Sequence, residues 1–309
     1  MIQPDLHISP DDRADESVRK ILYRLFGALC ANVEGVLENQ DVEFLHDFRV
    51  AIRRTRTALS QTRGVLPSSV MDTYPPEFRW LGDVSGPCRD LDVMLLEMAS
   101  DLHQSEFDDG ALDPLSNFLR EKRQTEHGLI RAALQSERFR RLVDDWDCFL
   151  KTGAEGEIRS PLASASIIDV AGPRILKAYR RIRKRGAGID DSPSAALLHR
   201  LRIDGKKLRY LLEFFSELYP RETTLRFIRE LKQLQDILGN FNDTVVQLAL
   251  IREFANQGTA SAETLITVDR LTEAITLRQR ELRAEFVERF EFFAGEKSRK
   301  LYKKTFKAT

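Results

Sequence analysis

Four basic side chains recur at helical spacing in the first third of the chain. His46, Arg49, Arg53 and Arg56 follow one another at intervals of three or four residues, so on a helix they fall within an arc of about 80°. The neighbouring arc is apolar and carries Leu45, Phe48, Ile52 and Leu59. Because the cationic stripe adjoins an apolar face, we predict that it lies along the edge of a groove between packed helices. Guanidinium groups there suit phosphate oxygens, and histidine adds a hydrogen bond or a pH-dependent charge.

The same stripe occurs a second time, 153 residues later. Its basic members are His199, Arg202, Lys206 and Arg209, again beside a leucine face. The same offset, without a gap, relates Arg54 to Lys207, Pro67 to Pro220, Asp83 to Asp236, Gly86 to Gly239 and Asp90 to Asp243. Chance could supply one such match but hardly all of them in one register. The sequence therefore predicts an internal duplication into two related halves.

Two further segments carry cations at the same spacing. They comprise Arg174, Lys177, Arg181 and Lys184, and then Lys297, Lys300, Lys304 and Lys307. Lys20 and Arg24 are candidates for a weaker first-half counterpart of the former. A helix rises about 1.5 Å per residue, so ten residues spread four cations over about 15 Å, enough to follow several phosphates of a linear polyanion. The alternative is that each basic face is solvated or paired with acids on a neighbouring helix.

These stripes need helices to position them, and the rest of the sequence supplies the pattern. Glycine and proline are scarce, with 16 and 11 in 309 residues, and apolar residues recur at intervals of three and four. We predict an all-α protein of roughly a dozen helices, arranged as two antiparallel halves that each resemble a four-helix bundle. The predicted helix breaks include Pro67, Pro75–Pro76, the stretch from Gly153 to Pro161, and Pro220.

Composition limits the class of protein. The 48 Lys and Arg residues balance 48 Asp and Glu residues, which argues against a broadly basic polyanion binder and confines such binding to one lined groove. Three separated cysteines without a CxxC motif suggest reduced thiols, and neither a signal peptide nor an apolar run of about 18 residues is found. We expect a cytoplasmic protein that does not enter the membrane.

Catalytic and metal-binding signatures are weak. His46 and His199 each lack a second ligand at metal-binding spacing, so we predict no metal and no cofactor; a purely structural histidine is the alternative to a phosphate contact. Asp90 and Asp92 would point about 200° apart on a helix and could not readily chelate one Mg²⁺ together. We predict instead that Asp90 opens a helix or pairs with an arginine of a stripe. Phosphate-loop, nucleophile-elbow and HExxH motifs are missing.

Four strings in the sequence resemble the CHAD family, the conserved-histidine α-helical domain. They are HDFRVAIRRTR, GPCRDLDV, HRLRIDGKKLRY and LQDILGNFND, and the resemblance runs from about residue 13 to the C-terminus. It implies two four-helix bundles related by a pseudo-twofold axis, a basic central channel or groove, and binding of inorganic polyphosphate, in some members at polyphosphate granules. The positions that match the family motifs are His46, Arg49, Arg53, Arg54, Arg56, Arg89 with Asp90, His199, Arg202, Lys206, Lys207, Arg209 and Tyr210.

Two features depart from the family pattern. Asn242 stands where the duplication would place a counterpart of Arg89, and the chain lacks the ExExK signature of the CYTH-type triphosphatase domain to which many relatives are fused. We therefore expect a standalone module with a flexible acidic tail at residues 1–12 and halves at residues 13–155 and 160–309.

We expect this module to bind inorganic polyphosphate without catalysis. The alternatives are a metal-dependent polyphosphate or triphosphate hydrolase that uses Asp90, a general nucleic-acid-binding helical protein, and a scaffold for a protein partner.

Overall fold

The protein is all-α in the residues that its computed structural model describes, which are 7–99, 110–153, 160–189 and 192–307. No strand is present in these ranges, and the predicted fold class is confirmed. The helices are α1 (Ala14–Ala31), α2 (Val33–Glu38), α3 (Val42–Gln61), α4 (Ser68–Val84), α5 (Gly86–Met98), α6 (Asp113–Leu134), α7 (Glu137–Thr152), α8 (Ile167–Arg185), α9 (Ala195–Phe214), α10 (Arg221–Ala255), α11 (Ala262–Ala294) and α12 (Glu296–Phe306).

The two basic stripes lie on α3 and α9, as their spacing predicts. Each helix begins at a side-chain cap: the Asp41 carboxylate accepts from the Glu43 amide at 2.9 Å, and the Ser194 hydroxyl accepts from the Leu197 amide at 3.3 Å. The apolar face of each helix is buried. Helix α3 packs on α1, α4 and α9, and α9 packs on α8 and α10, so the two stripe helices lie side by side at the centre of the molecule.

Equivalent helices in the two parts of the chain begin in the same register. Helices α1, α3 and α4 start at residues 14, 42 and 68, and α8, α9 and α10 start at residues 167, 195 and 221, each 153 residues later. Arg13 and Ser166, which are also 153 apart, form an antiparallel bridge. A bridge between equivalent residues is what a twofold relation would produce. The duplication itself stays a prediction, and so do its two halves, whose boundary near residues 155–160 falls largely outside the described ranges.

The first part of the chain has a helix break at a position where the second part has a continuous helix, and a proline adjoins the break. Helices α4 and α5 are separated at Ser85, whereas the equivalent stretch around Gly239 runs unbroken through the 35-residue helix α10. Pro87 explains the difference, because proline lacks the backbone N–H and its ring collides with the preceding turn of a helix. Asn240 stands at the equivalent position, inside α10, and has the backbone N–H that proline lacks.

The break predicted at Pro75 and Pro76 is wrong, since both residues lie inside α4. The flanking side chains, Tyr74 and Phe78, both pack on Trp146 of α7, with ring centroids 4.4 and 5.3 Å away. This aromatic contact holds α4 in helical form across the two missing donors, an instance of tertiary packing overriding local propensity.

The N-terminal segment touches the second part of the chain in its described residues. Ile8 is only 2% exposed, and its amide donates to the Glu217 carboxylate at 3.1 Å. Residues 1–6 of the predicted tail lie outside the described ranges. Among the described helices, none combines the length and apolar character that crossing a membrane requires.

Candidate functional site

Helices α3 and α9 are joined through polar side chains of their stripes. The Arg53 guanidinium donates through Nε to the Tyr210 hydroxyl at 2.7 Å. One residue further, Arg54 pairs with Glu213 at 3.0 Å and lies over the Tyr210 ring, 5.5 Å from its centroid. Arg209 also reaches Glu213, at 3.4 Å. The two stripes therefore form one continuous surface.

Six basic side chains of α3, α5 and α9 lie close together where α3 and α9 are joined. Arg49 has Arg53, Arg89 and Arg202 as electrostatic neighbours, and Lys206 has Arg53, Arg202 and Arg209. We call this set the central cluster; its members are Arg49, Arg53, Arg89, Arg202, Lys206 and Arg209. Four carboxylates act on these groups, namely Asp90 and Asp243 within the cluster, Glu43 beside Arg89 and Glu213 beside Arg209, so basic residues outnumber acids. The structure thus brings together residues of α3, α5 and α9 that the sequence placed in separate motifs.

Burial and neighbouring positive charges lower the pKa of basic groups in the central cluster. Burial, reinforced by Arg53, Arg202 and Arg209, lowers the pKa of Lys206 to about 6. Burial also lowers the pKa of Arg49 to about 10, with a partly opposing effect from Asp90. The Lys206 amine therefore loses its proton more readily than an ordinary lysine amine does, while the arginines keep their charge. Removal of cations from water without matching anions is unfavourable, and such an arrangement is typical of a site that binds an anion.

Arg49 and Arg202 occupy equivalent positions but have different partners. Arg49 donates to the Gly82 carbonyl and to the Ser85 hydroxyl, each at 2.9 Å. The Gly82 carbonyl is free to accept because α4 ends at Val84, which leaves its last carbonyls without helical donors. The equivalent region of α10 is continuous, and the buried Nε of Arg202 has no hydrogen-bond partner. Arg202 is therefore the less constrained of the two.

Asp90 and Asp243 face one another across α5 and α10. Together with Val93, Met94, Val246 and Gln247 they line a small cavity. Of the two roles predicted for Asp90, the opening of a helix is wrong, because Asp90 lies in the second turn of α5, whereas its position beside Arg49 agrees with the other role, a pair with a stripe arginine. Asp243 lies in the middle of α10. Burial raises the pKa of both carboxyls, against the opposing effect of Arg49 on Asp90 and of Arg202 on Asp243. In the described residues no three His, Cys, Asp or Glu side chains converge in a way that could hold a metal ion.

The two histidines lie at the outer ends of their stripes, with different neighbours. Burial, followed by the charge of Arg89, lowers the pKa of His46. Arg89 itself approaches the Val42 carbonyl at 3.4 Å and Glu43 at 3.7 Å. His199 has Asn242 as its neighbour, with its Nδ1 3.2 Å from the amide oxygen. Because Asn242 stands at the position equivalent to Arg89, His199 has no cation there that corresponds to the one beside His46.

The family model described as the CHAD domain matches residues 20–252. The chain belongs to the CHAD domain family. It is similar to the uncharacterized protein Rv2226 of Mycobacterium tuberculosis, at 28% identity over 232 residues that cover 71% of this chain and 42% of that protein. A second uncharacterized protein of that species, MT2285, matches to the same extent. The chain thus spans less than half the length of the curated relatives it matches.

Solved structures share this architecture. The crystal structure of the CHAD domain from the plant Ricinus communis matches with a TM-score of 0.68 and 28% sequence identity, covering 91% of this chain and 89% of that one. PptA from Streptomyces chartreusis matches with a TM-score of 0.73 at 17% identity, covering 91% of this chain and all of that one. The second likeness is one of fold alone.

Arg56 and Lys207, which belong to the matched motifs of this CHAD domain, lie outside the central cluster in a second group of charges. Arg56 and Lys207 are electrostatic neighbours of one another, and Lys207 also neighbours Arg181. Asp204, a buried residue that we did not single out from the sequence, accepts from Arg181 at 3.2 Å and also binds Arg185. A signal was present, because Asp204 is an acid within an otherwise basic helix segment, at the position equivalent to Ala51.

The remaining predicted contacts lie on α1, α8 and α12. Several have partners within the protein: Lys20 pairs with Asp12 at 3.2 Å, Arg174 donates to the Arg63 carbonyl at 2.7 Å, and Lys300 lies 4.0 Å from Glu296. Arg24, Lys177 and Lys304 are exposed on their helices. A phosphate contact for these six residues stays a prediction.

A larger cavity of the CHAD domain, of about 690 Å³, lies between α2 and α6. Its polar groups are mostly engaged with the protein: Arg123 binds Asp92 and Asn39, and the His127 ring binds the Val36 carbonyl at 2.8 Å. The central cluster, in contrast, leaves its cations in excess.

Proposed function

We propose that this CHAD domain binds inorganic polyphosphate along the central cluster, without catalysing a reaction. The observation that carries the proposal is the convergence of six basic residues from α3, α5 and α9 against four carboxylates, with the buried Nε of Arg202 unpartnered. Like charges brought together in a partly desolvated site repel one another. An anion bound among them would relieve that repulsion and supply the missing hydrogen-bond acceptor.

A linear anion suits the shape of the site better than a single phosphate does. The cations follow two neighbouring helices, and Arg53 and Tyr210 link the stripes into one surface. Phosphates spaced along a chain can meet successive guanidinium groups, and bidentate contacts of this kind are stronger than neutral hydrogen bonds. The family association with polyphosphate supports this choice of anion. A place in the cytoplasm, at polyphosphate granules, forms part of the proposal.

Competition between polyanions tests the proposal. Labelled polyphosphate is titrated with the protein at physiological salt, against DNA and RNA of equal charge as competitors. We expect neither nucleic acid to displace polyphosphate at equal charge concentration, and no release of orthophosphate. Equal affinity for the three polymers would contradict specificity for polyphosphate, and orthophosphate release would contradict the non-enzymatic role.

Charge reversal locates the site. We expect the double variant Arg53→Glu, Arg202→Glu to lose polyphosphate binding while its circular dichroism stays helical. Arg140→Glu, Arg278→Glu is the matched control with the same change of charge, since each of these arginines is exposed and paired with an acid of its own helix. Equal loss in both variants, or full binding by Arg53→Glu, Arg202→Glu, would place the ligand elsewhere.

A further inference from the structure

The cavity between α2 and α6 is lined mainly by polar side chains. Leu37 is its apolar member, and the polar members are Glu38, Asn39, Arg123, Gln124, His127 and Arg131. Its volume of about 690 Å³ lies within the range of about 300–1,000 Å³ that is usual for small-molecule sites. Such a lining suits a small ligand that is rich in hydrogen-bonding groups, because polar groups removed from water need polar partners.

A fully buried carboxylate holds Arg123 in place at this cavity. The side chain of Asp92, on α5, is 0% exposed and pairs with the Nε of Arg123 at 2.5 Å. The Nη2 of Arg123 donates to the Asn39 amide oxygen at 2.8 Å, at the end of α2. A guanidinium group has five N–H donors, and within the described residues these contacts leave Nη1 without a partner. Arg123 is therefore fixed in position and keeps donors for a ligand.

The predicted duplication does not account for the pair of Asp92 with Arg123. Asp90, two residues earlier, has a counterpart in Asp243, whereas the residue equivalent to Asp92 is Val245. A buried ion pair contributes little to stability, and its replacement by apolar residues is often neutral or stabilising. The second part of the chain builds the equivalent helical turn without a charge, so the pair points to a role specific to the cavity of the first part.

His127 and Arg131 add further groups from the same face of α6, because residues four apart are neighbours on a helix surface. The Nε2 of His127 lies 2.8 Å from the Val36 carbonyl. A carbonyl oxygen only accepts, so Nε2 carries the proton and Nδ1 is left for a ligand. Arg131 and Gln124 are exposed and have no hydrogen bond or ion pair within the described residues. The cavity thus offers two guanidinium groups, an imidazole and an amide.

We propose that the cavity between α2 and α6 is a second ligand site, separate from the central cluster, and that it binds a small phosphorylated sugar or polyol. Arg123 and Arg131 bind the phosphate, whose charge of about −1.5 to −2 at neutral pH matches two guanidinium groups. Glu38 and Gln124 bind hydroxyl groups of the ligand. Because Asp92 and Glu38 offset the two arginines, the cavity does not attract a long polyanion as the central cluster does.

Calorimetric titration of the full chain with glucose 6-phosphate tests the proposal. We expect it to bind at least about tenfold more tightly than glucose or inorganic phosphate, since each of these makes only part of the contacts. Arg131→Gln should weaken the binding by about tenfold or more, the effect of one lost charge-assisted hydrogen bond. Arg120→Gln is the matched control, because Arg120 lies on α6 outside the cavity, where it contacts Asn117.

The double variant Arg53→Glu, Arg202→Glu separates this site from the central cluster. It should bind glucose 6-phosphate as the unmodified protein does, and Arg131→Gln should keep full polyphosphate binding. The inference is overturned if glucose 6-phosphate does not bind, if inorganic phosphate binds equally well, if Arg131→Gln binds fully, or if the double variant loses the sugar phosphate. None of these results bears on polyphosphate binding at the central cluster.

Discussion

Arg49 and Arg202 show how identical side chains at equivalent positions acquire different properties. Arg49 is held by the end of α4, through the Gly82 carbonyl and the Ser85 hydroxyl. Arg202 faces an unbroken helix and keeps an unpartnered donor. One residue, Pro87, creates the helix end to which Arg49 binds. We infer that Arg202 is the more readily available of the two for a ligand.

Glu213 neutralises part of the cationic surface, since it pairs with both Arg54 and Arg209. We predict that Glu213→Gln tightens polyphosphate binding by about fivefold at low salt, because loss of one partly exposed carboxylate beside two arginines is worth about 1 kcal/mol. Fluorescence titration measures the dissociation constant. Glu281→Gln is the control, since Glu281 has an exposed pair with Arg278 on α11. Unchanged affinity in Glu213→Gln would show that Arg54 and Arg209 do not contact the ligand.

At the scale of elements, ion pairs of one aspartate with two arginines link α9 to α8. Asp204 of α9 is only 3% exposed in its side chain and binds both Arg181 and Arg185 of α8. Ala51, at the equivalent position of α3, is apolar and buried. The basic face of α8 is therefore partly committed to holding the stripe helix α9 in place.

We predict that Asp204→Ala lowers the free energy of unfolding by about 2–3 kcal/mol. Loss of one partner of a buried ion pair costs about 3–5 kcal/mol, and the exposure of Arg181 reduces that figure. Urea denaturation measures the change. Asp147→Ala serves as control, because its pair with Lys151 lies on the surface of α7 and should contribute less than about 1 kcal/mol. Equal effects of the two substitutions would contradict the fastening role of Asp204.

At the scale of the whole molecule, equal totals of acids and bases conceal an uneven distribution. The chain carries 48 of each, yet six cations converge at the junction of α3, α5 and α9. Many other cations are paired locally with acids of the same helix, as Arg226 is with Glu230 and Arg299 with Glu296. A polyanion should therefore bind the molecule at one place rather than over its surface.

The salt dependence of polyphosphate binding measures how many phosphates the central cluster neutralises. For six contacts we predict that the logarithm of the association constant falls with the logarithm of salt concentration with a slope of about −4, if polyphosphate behaves like a single nucleic-acid strand. The double variant Arg53→Ala, Arg202→Ala should reduce the slope by about 1.4. Titrations between 50 and 300 mM salt, about the range in which condensed counterions compete, provide the measurement. An unchanged slope in that variant would contradict binding at the central cluster.

The sequence by itself determined the helical class and the two stripe helices, because the period of apolar residues is a local property of the chain. It also identified the equivalence of Lys206 with Arg53 and of Asn242 with Arg89, since the offset of 153 residues between them can be read from the sequence alone. It could not show that Pro75 and Pro76 would stay helical, because their tolerance depends on Trp146, about 70 residues away in the chain.

Only the tertiary structure decided which cations meet. Arg53 binds Tyr210 across 157 residues of chain, whereas Arg56 and Lys207, from the same motifs, join a separate group with Arg181. Asp90 does not open a helix but lies in the second turn of α5, where it faces Asp243 of α10. The physical reason is that charge and protonation depend on burial and on neighbours within a few ångströms, and the packing of α3, α5, α9 and α10 brings those neighbours together.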